Sequence, residues 1–171
     1  FISMMGGSYA DSGAGGSIWL KADGISGSGN FSADGGWFDS SSYSGAGGGR
    51  IAITGNVVDL TGDISNTGQG NNFAVEGSGG TVYISATSSI ANTGSIFTYG
   101  RNGGNITFID TSLGLTGIYN ASGTTGSDAP IVLNYTDCSN HFRNAVFDPI
   151  ETYQTDCGDI TNIFGWDLED D

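Results

Sequence analysis

The sequence predicts an all-β chain wound as a parallel β-helix, a solenoid of about five coils over residues 1–133, followed by a distinct element over residues 134–171. Three observations predict it. Glycine pairs are followed by short strands whose apolar residues alternate with period two, the signature of a strand with one buried face. That motif recurs along the chain, and the intervals between its copies vary while the motif itself does not, as in stacked repeats with variable loops. The alternative architecture is a β-sandwich or jelly roll, but its antiparallel strands call for two-residue hairpin turns that these separations rarely offer.

The first strand of each unit reads Gly-Gly, a polar residue, then two apolar residues two apart: Ile18 and Leu20, Ile51 and Ile53, Val82 and Ile84, Ile106 and Phe108. A weaker fifth line, A-P-Ile131-V-Leu133, follows. The leading residues are 33, 31, 24 and 25 positions apart. In a parallel β-helix each strand lies ~4.8 Å above its equivalent in the previous coil, so equivalent positions stack. Ile18, Ile51, Val82, Ile106 and Ile131 are therefore expected to form one core ladder, and Leu20, Ile53, Ile84, Phe108 and Leu133 its neighbour. A second, shorter segment aligns as Ile25 to Phe31, Leu60 to Ile64, Ile90 to Ile96 and Leu115 to Ile118. Corners between strands are expected to need positive φ, which glycine adopts cheaply and Asn and Asp next. Asn66 and Asn120 are expected at equivalent corners.

After about residue 134 the glycine-rich texture ends, and apolar residues such as Phe142, Phe147 and Trp166 read as a cap over an open solenoid end or as a docking segment for a neighbouring subunit. Cys138 and Cys157 both fall there. A disulfide between them closes a loop of about 20 residues, worth ~3 kcal/mol in the chain-entropy model. The rival reading, a zinc site with His141, lacks CxxC spacing. A disulfide places the chain in an oxidising, extracellular setting. The chain opens on Phe1, which reads as a processed chain or a segment of a larger one, and no run is long and apolar enough for a membrane helix.

Four basic residues against 18 acidic ones give a net charge of −14, which repels nucleic acid and anionic membrane surfaces. No cofactor is expected. Ca²⁺ suits such a charge, but no motif supports a site: TGSD at 125–128 occurs once, without the full calcium-binding repeat. Asp23, Asp34, Asp39, Asp59 and Asp63 are candidate carboxylates for a glycosidase or lyase, yet Asp beside Gly is ordinary turn chemistry. Lys21, Arg50, Arg101 and Arg143 look scattered, and no nucleophile–base signature surrounds His141. The G-x-G patterns precede no helix whose amides could hold phosphate. Sequons fall at Asn30, Asn105, Asn120 and Asn134, close to the number chance gives in a chain so rich in Ser and Thr; Asn30 and Asn120, at expected bends, are the first choices for glycans. Trp19 and Tyr83 share one motif position between inward residues and are expected to point outward, where they could stack on sugar rings or on another protomer, unless long loops cover them.

The block GAGGSIWLKADGISGSGNFSADGG, continued by GAGGGRIAITG, resembles the Gly-rich β-helical repeats of large secreted or surface-anchored proteins, over roughly residues 10 to 125. That resemblance implies an extracellular right-handed β-helix with a structural or adhesive role, and carries over no catalytic residue. The expected function is a non-enzymatic filament or stalk component whose partner is a second copy, joined head-to-tail, or another surface protein. The alternatives are an adhesin or carbohydrate-binding module using Trp19 and Tyr83 and, behind it, a polysaccharide-degrading enzyme.

Overall fold

The computed structural model describes residues 1–7, 13–37, 45–70, 76–136 and 145–149, and the backbone of 152–153. The chain is all-β, with no helix among those residues. Its first strands are β1 (Ile2–Ser3), β2 (Ser17–Lys21), β3 (Gly24–Gly27), β4 (Phe31–Ser32), β5 (Arg50–Leu60), β6 (Ile64–Ser65) and β7 (Thr81–Asn92). Then come β8 (Ile96–Phe97), β9 (Ile106–Asp110), β10 (Leu113–Leu115), β11 (Ile118–Asn120), β12 (Ile131–Tyr135), β13 (Val146–Asp148) and β14 (Thr152–Tyr153).

These strands form two sheets, and every pairing is parallel. The smaller sheet runs β1-β4-β6-β8-β11-β13 and the larger β2-β5-β7-β9-β12-β14, with β3 beside β5 and β10 beside β7; neither closes on itself. Parallel neighbours cannot be joined by a tight hairpin and need a crossover. Here the crossover contains a strand of the other sheet, so both sheets grow in chain order. Strands β12, β13 and β14 carry this pairing past residue 133, the boundary drawn from composition.

Alternation along each strand sends one set of apolar side chains inward. Ile18, Ile51, Val82, Ile106 and Ile131 are register partners in sequence, as are Leu20, Ile53, Ile84, Phe108 and Leu133. All but Leu20 are buried; Leu20, on the edge strand β2, is partly exposed. A single apolar cluster takes residues from both sheets, each fully buried aliphatic contributing ~1.5–3 kcal/mol.

The glycines have a different cause from the one the sequence suggested. Among the described residues only Gly27 has a positive φ, 151°. Most of the others sit where backbone meets backbone: Gly16 N–H donates to Met4 O (2.6 Å), Gly49 to Ala33 O (2.8 Å), Gly80 to Asn66 O (2.8 Å) and Gly104 to Thr98 O (2.7 Å). Each bond clamps the end of a smaller-sheet segment against the start of a larger-sheet strand. A Cβ on Gly49 would overlap the carbonyl oxygen of Gly16, one on Gly80 that of Gly49, and one on Gly104 that of Gly80. Glycine is there for lack of space.

This clamp also explains the uneven pitch. From Ile18 to Ala33, Ile51 to Asn66 and Ile106 to Ala121 is 15 positions each, and from Val82 to Thr98 is 16. The remaining variation lies in the connections 34–48, 67–79, 99–103 and 122–128, which all leave through the same kind of clamp. The one extra residue is a bulge in β7, where the register shifts between Gly55 and Val57. Asn56 Oδ1 accepts both Thr87 Oγ1 (2.8 Å) and Ser88 Oγ (2.7 Å) across it.

The second segment departs from its sequence alignment. Ile25 pairs with Val58, then Ile90 and Leu113; Leu60 and Leu115, aligned with Ile25 from sequence, lie two residues further on, Leu60 beside Gly27 and both of them beside Asn92. In the smaller sheet Phe31, Ile64 and Ile96 continue to Tyr119 and not to Ile118. The slip of one position inverts the face: Tyr119 is fully buried and Ile118 is 47% exposed. Asn66 and Asn120 are not equivalent either, because Asn120 shares its rank with Ser65 and Phe97.

Candidate functional site

The outward face of the larger sheet is built by the residues between the inward ones. Ser17, Trp19 and Lys21 of β2 lie beside Arg50, Ala52 and Thr54 of β5, and these beside Thr81, Tyr83 and Ser85 of β7. Thr107 and Ile109 of β9, then Val132 and Asn134 of β12, continue the face. Trp19 is 76% exposed, with no cover among the described residues, and Tyr83 is half-buried. They stand two strands apart, ~10 Å. Ala52, the small residue between them, leaves a depression of about 490 Å³ lined also by Ser17, Arg50 and Thr54.

Around the depression the charge on this face is opposite to that of the whole chain: the described outward residues in 17–21, 50–54, 81–85, 107–109 and 132–134 include two cations, Lys21 and Arg50, and no carboxylate, while Asp59 is exposed further along β5. Asp110, at the end of β9, points inward, 6% exposed. Neither cation has an ion-pair partner among the described residues. Lys21 and Arg50 were read as scattered because they are 29 positions apart in sequence; parallel pairing puts them at opposite ends of adjacent strands, with Trp19 and Ala52 between.

The candidate carboxylates do not share one place in the fold. Asp34 is buried and accepts four hydrogen bonds, from Ser32 Oγ (2.7 Å), Ser65 Oγ (2.7 Å), Thr67 N (2.7 Å) and Thr67 Oγ1 (2.9 Å). It is a clamp between successive smaller-sheet segments, which the sequence signalled only through the matched Ser32 and Ser65. Asp63 belongs to an exposed ladder: Asn30 Oδ1 accepts Asp63 N–H (3.0 Å), Asp63 Oδ1 accepts Ser95 N–H (2.8 Å), and Ser95 Oγ accepts Ile118 N–H (3.4 Å). Asp23 and Asp59 are exposed. Asp128 of TGSD accepts Gly123 N–H (2.7 Å) and closes its own turn. Among the described residues no three His, Cys, Asp or Glu side chains come together as metal ligands. Asp39, Cys138, His141, Arg143 and Cys157 lie outside the described residues.

Besides Tyr135, whose hydroxyl burial pushes up, two buried groups carry perturbed titration. Burial pushes the Asp110 carboxyl above its ordinary value despite backbone N–H bonds from Thr111 and Ser112, and its Oδ2 has no hydrogen-bond partner. Burial likewise pushes the Tyr119 hydroxyl up; it donates to the Asn92 carbonyl or side-chain oxygen, both at 2.9 Å, while its ring stacks on Phe147. Neither lies in the outward depression.

Of the sequons, Asn105 is exposed and its side chain is unbonded among the described residues. Asn30 is exposed but holds Asp63 through its oxygen. Asn120 directs its amide nitrogen at Asp148 Oδ2 (3.4 Å), and Asn134 is half-buried on β12.

With this geometry in view, the chain was compared with known proteins. No family model, no curated protein and no solved structure matches it. The functional reading rests on the geometry alone.

Proposed function

We propose that the chain is a β-solenoid and a non-enzymatic structural protein of the extracellular space or cell surface, joined head-to-tail to further copies as a filament or stalk. The observation that carries this reading is that, among the described residues, both sheets end in parallel edge strands with no further partner, β1 and β2 at one end, β13 and β14 at the other. An edge strand presents unpaired N–H and C=O groups. The two ends are unlike, and head-to-tail pairing of unlike surfaces propagates without closing. The first end also exposes apolar side chains, Phe1, Ile2, Met4 and Met5, which such pairing would bury. Alternation between two sheets in chain order, with aliphatic ranks continuous through five strands, supports the winding.

The test is negative-stain microscopy with sedimentation velocity across a concentration series. Fibres of uniform width, lost in an Ile2→Lys/Met4→Lys variant that keeps its circular dichroism spectrum, are expected; a monodisperse monomer at every concentration would remove the filament reading. A second reading, a saccharide-binding surface module, is favoured by one specific observation: the exposed Trp19 and the half-buried Tyr83 flanking a depression floored by Ala52.

A further inference from the structure

We propose that the outward face of β2, β5 and β7 binds an acidic saccharide, one whose rings carry carboxylate or sulfate groups. The proposal rests on the second reading above and adds to it the charge class of the ligand. Its basis is the segregation of charge. In a chain of net charge −14, the described outward positions around the depression, in 17–21, 50–54, 81–85, 107–109 and 132–134, hold Lys21 and Arg50 and no acidic residue; Asp59 lies further along β5, beyond the register shift at Gly55 and Val57. A surface grown merely for solubility in so acidic a chain would share in its acidity. This one is kept clear of it.

The geometry defines how such a ligand lies. Trp19 and Tyr83, ~10 Å apart across the strands, offer two ring platforms, about the reach of every second sugar in a chain running across the sheet. Arg50 stands two residues before the Trp19–Ala52 rank and Lys21 two after it, so the cations flank the platform on opposite sides, ~13 Å apart along the strand direction. A ring stacked on Trp19 leaves its acidic substituents within reach of one or the other. The Arg50 guanidinium matches a carboxylate or sulfate through two parallel N–H bonds, and no protein carboxylate competes for it among the described residues. Hydroxyls of Ser17, Thr54 and Thr81 supply neutral hydrogen-bonding partners for the sugar alcohols.

Nucleic acid also combines rings with anions but fits less well. It carries a phosphate at every nucleotide and binds by neutralising many of them. Two cations on a chain of net charge −14 cannot offset that repulsion, whereas an acidic saccharide can place neutral rings between its charges.

The experiment is calorimetric titration of the full chain at low ionic strength with three probes: a hyaluronate oligomer, in which charged and neutral rings alternate, the neutral cello-oligosaccharide of matched length, and single-stranded oligothymidine. The acidic oligomer is expected to bind about tenfold more tightly than the neutral one, the size of one charge-assisted contact. Arg50→Gln and Lys21→Gln should each shrink that preference while sparing the neutral affinity, and Trp19→Ala should weaken both. All three side chains are exposed, so the variants should keep the parent melting temperature. Equal binding of acidic and neutral oligomers overturns the acidic preference and leaves the saccharide face standing. No binding of either sugar overturns both, and tighter binding of oligothymidine overturns the proposal in favour of nucleic acid.

Discussion

Glycine at the clamps is a matter of volume. Gly80 illustrates it: its N–H reaches Asn66 O, and a Cβ there would overlap both the Gly49 carbonyl oxygen and Asn66 Oδ1. Neither obstacle yields cheaply, because Gly49 O is backbone and Asn66 is held by its amide, which donates to Gly49 O (3.0 Å) and Thr81 O (2.9 Å). Gly80→Ala is therefore expected to destabilise by ~3 kcal/mol, at the upper end of overpacking costs, although alanine relieves the entropy penalty of glycine. Gly114, which has only an ordinary contact at van der Waals distance, is the control: Gly114→Ala should change the denaturant midpoint little or raise it. Equal losses at the two positions would show that backbone freedom and not space selects glycine at the clamps.

Ranks of side chains along the larger sheet were readable from sequence because two cues agree there: a glycine pair fixes the phase, and period-two apolar residues follow it. The shorter segment lacks that anchor. LTGIY invites alignment of Ile118 with Ile96, yet the structure puts Tyr119 in that rank, its ring edge-on to Phe108 at 5.5 Å and stacked on Phe147 at 5.2 Å. Aliphatic character alone could not reveal that an aromatic hydroxyl finds a buried partner in Asn92. Tyr119→Ala should accordingly cost ~3–5 kcal/mol in urea unfolding, while Ile118→Ala should cost under ~1 kcal/mol; the reverse order would restore the sequence alignment. The outward placement of Trp19 with Tyr83 followed from the same anchored phase. The proximity of Lys21 and Arg50 did not, because it depends on which strands are neighbours, and so on the topology. Asp34 was hidden for a related reason: its partners Ser65 and Thr67 are contributed by the next unit, 31 and 33 residues on.

At the scale of the molecule, charge and edge act in opposite directions, and this separates the two proposed activities. Each copy carries −14, so two copies approaching end to end repel one another over a Debye length of ~10 Å at moderate salt. Against that repulsion stand the open backbone edges and the exposed Phe1, Ile2, Met4 and Met5, whose burial is insensitive to dilute salt. Raising sodium chloride from about 10 mM to about 300 mM shortens the Debye length from roughly 30 Å toward 6 Å and should promote assembly, seen as a shift to faster sedimenting species at fixed protein concentration. The same change should weaken the acidic saccharide, since its attraction to Lys21 and Arg50 is screened by the same ions. Opposite salt responses identify two surfaces, the ends and the flank. If assembly also declines with salt, the contacts between copies are electrostatic, and the apolar first end is not the surface that joins them.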